Sequence, residues 1–103
     1  MNIEERRRYK RVIYFTEVEW GVYGAKFDGK ISDISEGGAY IDTISPCPEG
    51  TEITMKFKLP NEHQLIIKGM VKTSYPGMGM GIEFINLSDD DRQQLENFVK
   101  EYY

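Results

Sequence analysis

The chain of 103 residues is poor in the side chains that carry chemistry. It has one histidine, His63, and one cysteine, Cys47. A lone cysteine excludes an intrachain disulfide and agrees with a reducing compartment. Cys47 also lies between Pro46 and Pro48 with no histidine nearby to activate it. One histidine cannot by itself assemble a metal centre, and His63, beside a hairpin loop, reads as a solvated loop residue. No stretch approaches the roughly 18 apolar residues of a membrane span. The N-terminus is charged throughout and lacks the hydrophobic core of a signal peptide, so a cytoplasmic protein without direct membrane insertion is expected. No P-loop, nucleophile–base pair or metal-ligand constellation is present; neither catalysis nor a cofactor is expected.

What is present begins with an uneven charge. Residues 1–11 carry five Lys/Arg against two Glu, net +3, while the remainder carries eight basic against fifteen acidic residues, net −7. An acidic body disfavours broad nucleic-acid binding, which needs a basic face. A concentrated basic segment instead fits a small anionic ligand or a local contact.

The middle of the chain reads as strands. Thr16, Val18, Trp20 and Val22 alternate with Glu17, Glu19, Gly21 and Tyr23; Ile53, Met55, Phe57 and Leu59 alternate with Thr54, Lys56 and Lys58. Leu65, Ile67, Gly69, Val71 and Thr73 form a second long alternation, and Met80, Ile82 and Phe84 a shorter one. Further short strands are expected around 26–34 and 39–42. Pro60-Asn61-Glu62 reads as a hairpin loop, Tyr75-Pro76-Gly77 as a turn and residues 45–50 as a longer loop. The period then changes: Ser88 can cap a helix whose first turn holds Asp89, Asp90 and Asp91. Leu95, Phe98, Val99 and Tyr102 follow on one helical face. About six antiparallel strands and one terminal helix predict a small closed or nearly closed barrel, with the helix covering its end or side. Trp20 reads as core or barrel wall, a useful probe if the N-terminal segment docks near it. Tyr103 is expected to fray.

Two short motifs stand out. Arg6, Arg7, Arg8, Tyr9, Lys10 and Arg11 contain RxxxR (Arg7 to Arg11), and Asp33-Ile34-Ser35-Glu36-Gly37-Gly38 contains DxSxxG. Alone, the first reads as a solvated basic tail and the second as a turn. On a strand, Asp33 and Ser35 would project from one face, and Gly37 and Gly38 would permit unusual backbone angles and close approach of a ligand.

In this order and spacing the motifs resemble the PilZ domain, a bacterial receptor for cyclic di-GMP. The similarity runs over nearly the whole chain. After the second motif it continues through Ala39, Glu49-Gly50-Thr51 leading into a strand, a second long strand, Gly79-Met80-Gly81-Ile82-Glu83-Phe84 and a terminal helix with Leu95. The resemblance implies a mainly β fold: a six-stranded antiparallel PilZ-type β-barrel with a C-terminal α-helix and a flexible N-terminal arm. It forms one domain over 1–103, with an arm over 1–14, a barrel over 15–87 and a helix over 88–103. It further implies a ligand on the barrel's outer surface, gripped by the arm. Arg7 and Arg11 would hold guanine and phosphate, and Asp33, Ser35, Gly37 and Gly38 would form the guanine-recognising segment. Arg6 would influence whether one cyclic di-GMP or a stacked pair is bound, an arginine there leaning towards the pair.

The chemistry is consistent. Arginine binds phosphate bidentately and pairs with the O6/N7 edge of guanine, while a carboxylate accepts from guanine N1–H and N2–H₂. The function implied is a non-catalytic receptor that orders its arm on binding and changes a surface read by a protein effector, in motility, polysaccharide or transcription machinery. The alternative is a ligand-independent PilZ-like adaptor working through protein contacts.

Overall fold

The structure is a computed structural model that describes residues 10–102. Six antiparallel strands run β1 Val12–Val22, β2 Ala25–Ile34, β3 Gly38–Asp42, β4 Glu52–Lys58, β5 Gln64–Tyr75 and β6 Gly79–Ile85, followed by helix α1, Asp89–Glu101. They close into a barrel in the order β1-β2-β3-β6-β5-β4. Placing β6 between β3 and β5 is what brings residues distant in sequence to one outer face.

The alternating apolar positions point inward as their period requires. Val18, Trp20, Ile31, Ile41, Met55, Leu65, Met80 and Ile82 share one buried core. β1 begins at Val12, inside the segment read from sequence as arm. Val12 is buried, and Tyr14 packs its ring edge-on against Phe98 at 4.9 Å while its hydroxyl donates to the Lys58 carbonyl at 2.7 Å. Tyr23 and Gly24 link β1 to β2 with φ of 51° and 82°, a pairing of positive angles that suits a two-residue hairpin turn.

Helix α1 closes the barrel end at which β1 starts and β2 and β4 finish. Leu95, Phe98 and Val99 are buried in the same core as the strands, each burial being worth about 1.5–3 kcal/mol. Ser88 is the N-cap, its hydroxyl accepting from the Asp91 amide at 3.1 Å, with the three aspartates in the first turn. Tyr102 is half exposed, its ring packed edge-on to Phe98 at 4.7 Å.

The solvated-loop reading of His63 is corrected by this helix. Its Nε2 stands 3.3 Å from Asp91 Oδ1 and 3.8 Å from Asp90 Oδ2. Beside it, the Asn61 amide donates to Gln94 Oε1 at 3.1 Å. The β4–β5 loop is thereby tied to the start of α1. The His63, Asp90 and Asp91 ligand atoms lie within 4.8 Å of one another; three groups fall short of the four donors of a structural zinc centre. Among the described residues no helix is long and apolar enough to cross a membrane.

Candidate ligand site

The second motif sits at the end of β2 and the turn into β3, at the barrel end that α1 closes. Its geometry depends on a β-bulge. Ile31 pairs with Ile41 and Asp33 with Tyr40, leaving Ser32 as an extra residue. Ile31 and Ile34 are both buried, although three residues apart. The extra residue shifts the pleat by one, a bulge's usual effect, and turns Asp33 onto the outer face where simple alternation from Ile31 would have turned it inward. On β1 the partner of Asp33 is Ile13.

Asp33 there meets the end of the first motif. Arg11 Nε lies 3.4 Å from Asp33 Oδ1, with side chains 54% and 33% exposed. Oδ1 itself is shielded from solvent and, among the described residues, accepts no hydrogen bond, so the ion pair is loose and carboxylate acceptor capacity is left over. Arg6 and Arg7, the other arginines assigned to the ligand, lie outside the described residues, as does the rest of the arm before Lys10.

Ser35 does not share a strand face with Asp33. It lies past the end of β2 and is buried, 6% exposed. Its Oγ accepts from the amides of Gly37 and Gly38, each at 3.1 Å, and lies 3.4 Å from the Gly38 carbonyl; its own amide donates to that carbonyl at 2.8 Å. The hydroxyl is thus the internal staple of the turn, the role Ser plays in local backbone motifs.

Gly38 is required for a reason the sequence did not disclose. A Cβ there would stand 2.1 Å from the Ile82 carbonyl oxygen of β6, so the glycine permits close approach of a neighbouring strand. The Phe84 amide donates to the Gly37 carbonyl at 2.8 Å, fixing the turn to β6. The motif therefore builds a rigid turn that leaves Asp33 outward on one side and opens a groove on the other.

That groove has a volume of about 590 Å³ and is lined by the 35–38 turn, the outer faces of β5 and β6, and the start of α1. Arg11 borders it, joined by Lys72 and Arg92, which reading the motifs alone had missed. A larger groove, about 680 Å³, crosses β2, β1 and β4 and holds no motif residue. Its charges meet one another, Glu19 lying 3.8 Å from Lys56, so the groove beside the turn is the better candidate.

The PilZ domain family matches residues 5–101, and the chain belongs to that family. No curated protein sequence matches it significantly. Among solved structures it is similar to the Bacillus subtilis inhibitor of motility MotI/DgrA, with a TM-score of 0.81 at 19% identity, over 93% of this chain and 51% of that one. It is similar to the PilZ domain of YcgR from Escherichia coli, solved with c-di-GMP, with a TM-score of 0.77 at 14% identity over 94% and 91% of the two chains. A third is the MrkH–c-di-GMP complex from K. pneumonia, with a TM-score of 0.74 at 19% identity over 93% and 52%. Likeness at these identities establishes the fold. The chain spans about half the length of MotI and of MrkH.

Proposed function

We propose that this chain is a non-catalytic cytoplasmic receptor for cyclic di-GMP, with one or two molecules held on the outer face of the barrel by Arg6, Arg7, Arg11, Asp33 and the 35–38 turn. The observation that carries this reading is the Arg11–Asp33 ion pair, which joins the end of RxxxR to the start of DxSxxG in space. The c-di-GMP complexes of YcgR and MrkH, on the same fold, support the ligand. In this reading the ligand's phosphates and guanine O6/N7 edges go to arginines. Asp33 accepts from a guanine N1–H and N2–H₂ edge, so ligand and Arg11 meet at one carboxylate. Ser35 and Gly38 act by holding the turn in shape.

Binding then draws the part of the arm before Arg11 onto the barrel face and alters the surface shown to a downstream protein. The coupling is the ligand's differential affinity for the two arrangements. Isothermal titration calorimetry of cyclic di-GMP, with GTP as control, tests this: saturable heat at micromolar or tighter affinity, absent with GTP, is expected. Absence of heat at several temperatures would remove the receptor reading.

One observation favours the adaptor reading beside it. Ile44, Tyr75 and Met78 are exposed apolar residues gathered at the opposite barrel end, where the Gly77 amide donates to the Ile44 carbonyl and the Thr43 amide to the Met78 carbonyl. A partner complex unaffected by nucleotide would establish that reading.

A further inference from the structure

The groove beside the 35–38 turn contains two cations that neither motif includes. Lys72 lies on β5 and Arg92 on α1, twenty residues apart in sequence, and both line the groove with Arg11. Three features indicate that they are placed for an anion.

First, Lys72 is the extra residue of a β-bulge: Val71 pairs with Ile82 and Thr73 with Gly81, leaving Lys72 unpaired between them. A bulge re-aims a side chain, and bulges concentrate beside functional sites. Second, Arg92 occupies the first turn of α1, where the helix dipole disfavours a cation. Third, among the described residues neither Lys72 nor Arg92 makes an ion pair, although residues 10–102 carry fifteen carboxylates against ten Lys/Arg. In an acidic chain, a groove lined by three cations against two carboxylates is a local reversal of sign, which focuses an anionic ligand.

Glu36 and Glu83 also line the groove. They would repel a bare phosphate, but a guanylate carries guanine N–H donors as well as a phosphodiester, and a mixed lining of cations and carboxylates suits both. The groove's volume falls in the usual range for small-molecule sites.

We propose that Lys72 and Arg92 form a phosphodiester-binding extension of the ligand site, on the β6 side of the turn, and that Arg92 makes helix α1 part of that site. This rests on the cyclic di-GMP reading above. The phosphodiester belongs either to the far side of the molecule held by Arg11 and Asp33 or to a second molecule beside it.

Calorimetry on the full chain with cyclic di-GMP tests the extension, comparing wild type, Lys72→Gln, Arg92→Gln and the double variant, with Lys68→Gln as control. Lys68 lies on the same strand but borders a different groove, so it makes the same charge change elsewhere. Each groove variant is expected to weaken binding about tenfold or more, the scale of a lost charge-assisted hydrogen bond, with melting temperature unchanged and Lys68→Gln binding as wild type. Weaker binding at unchanged stoichiometry assigns the phosphodiester to the same molecule, and a fall from two to one assigns it to a second. If wild type binds and the double variant binds equally tightly, or Lys68→Gln loses as much as the groove variants, the extension is overturned while the receptor reading stands. If wild type does not bind, both fall.

Discussion

Arg11 and Asp33 stand twenty-two residues apart in sequence, yet Arg11 Nε lies 3.4 Å from Asp33 Oδ1 on the outer face of the barrel. The contact exists because β1 and β2 pair from Val12↔Ile34 onward, which places the residue just before β1 beside the last outward residue of β2. Both side chains are partly solvated, so the pair contributes little to folding; exposed ion pairs are worth about 0–1 kcal/mol.

Arg11→Ala should therefore separate binding from stability. Loss of a charge-assisted contact to the ligand is expected to lower cyclic di-GMP affinity by about two orders of magnitude. The thermal melting temperature should stay close to wild type. Calorimetry and differential scanning fluorimetry on the same sample check the two halves; binding equal to wild type would remove Arg11 from the site. Arg7→Ala is expected to weaken binding by a similar factor.

Ser35→Ala and Gly38→Ala should fail in the opposite manner, through the fold. Removing the buried Ser35 hydroxyl leaves two amides without their acceptor, a cost of about 1–3 kcal/mol. A methyl on Gly38 would collide with the Ile82 carbonyl, and relieving such overpacking costs about 1–3 kcal/mol or more. Urea denaturation should show both variants destabilised before any binding is measured. Wild-type midpoints with binding abolished would mean instead that these residues touch the ligand directly.

Ser88→Ala should lower stability by about 1 kcal/mol, the usual worth of an N-cap, which in a domain of this size corresponds to about 4–8 °C in Tm. The measurement is a thermal melt followed by circular dichroism. An unchanged Tm would show that the cap seen between Ser88 and the Asp91 amide contributes nothing.

Trp20 should be a poor reporter of the ligand. It is buried, stacks on Phe27 at 4.6 Å and lies near the β1–β2 hairpin. Eight residues of strand separate it from Val12, roughly 26 Å at the rise of an extended chain. Its emission, excited selectively, is expected to change on unfolding and to stay nearly constant on adding cyclic di-GMP. A large ligand-induced shift would place binding at the hairpin end.

Much of the barrel was legible because burial and period coincide. β4, β5 and β6 alternate cleanly, and Ile53, Met55, Phe57, Leu65, Ile67, Met80 and Ile82 are buried as the alternation implies. The start of β1 was hidden because Ile13 and Phe15 are exposed apolar residues, which erase the contrast between the two faces. The bulge at Ser32 was equally hidden, since an extra residue changes no composition. The work of Ser35 and Gly38 lies in backbone contacts, to the turn and to β6, that no spacing rule reports. His63 and Asp91 were each readable alone, and only the docking of the β4–β5 loop on α1 puts them 3.3 Å apart. Lys72 and Arg92 carry no local signal at all. Lys72 becomes a neighbour of the turn because β6 lies between β3 and β5, and Arg92 because α1 starts beside the same groove.

The most direct test of a ligand held at the Arg11–Asp33 end of the barrel is a two-dimensional ¹H–¹⁵N spectrum recorded during titration with cyclic di-GMP. Saturable shifts of the Arg11, Asp33, Glu36 and Gly37 amides are expected, with those of Ile44, Tyr75 and Met78 at the far end nearly still. Shifts that saturate at the far end and leave Arg11, Asp33 and the 35–38 turn unmoved would contradict it.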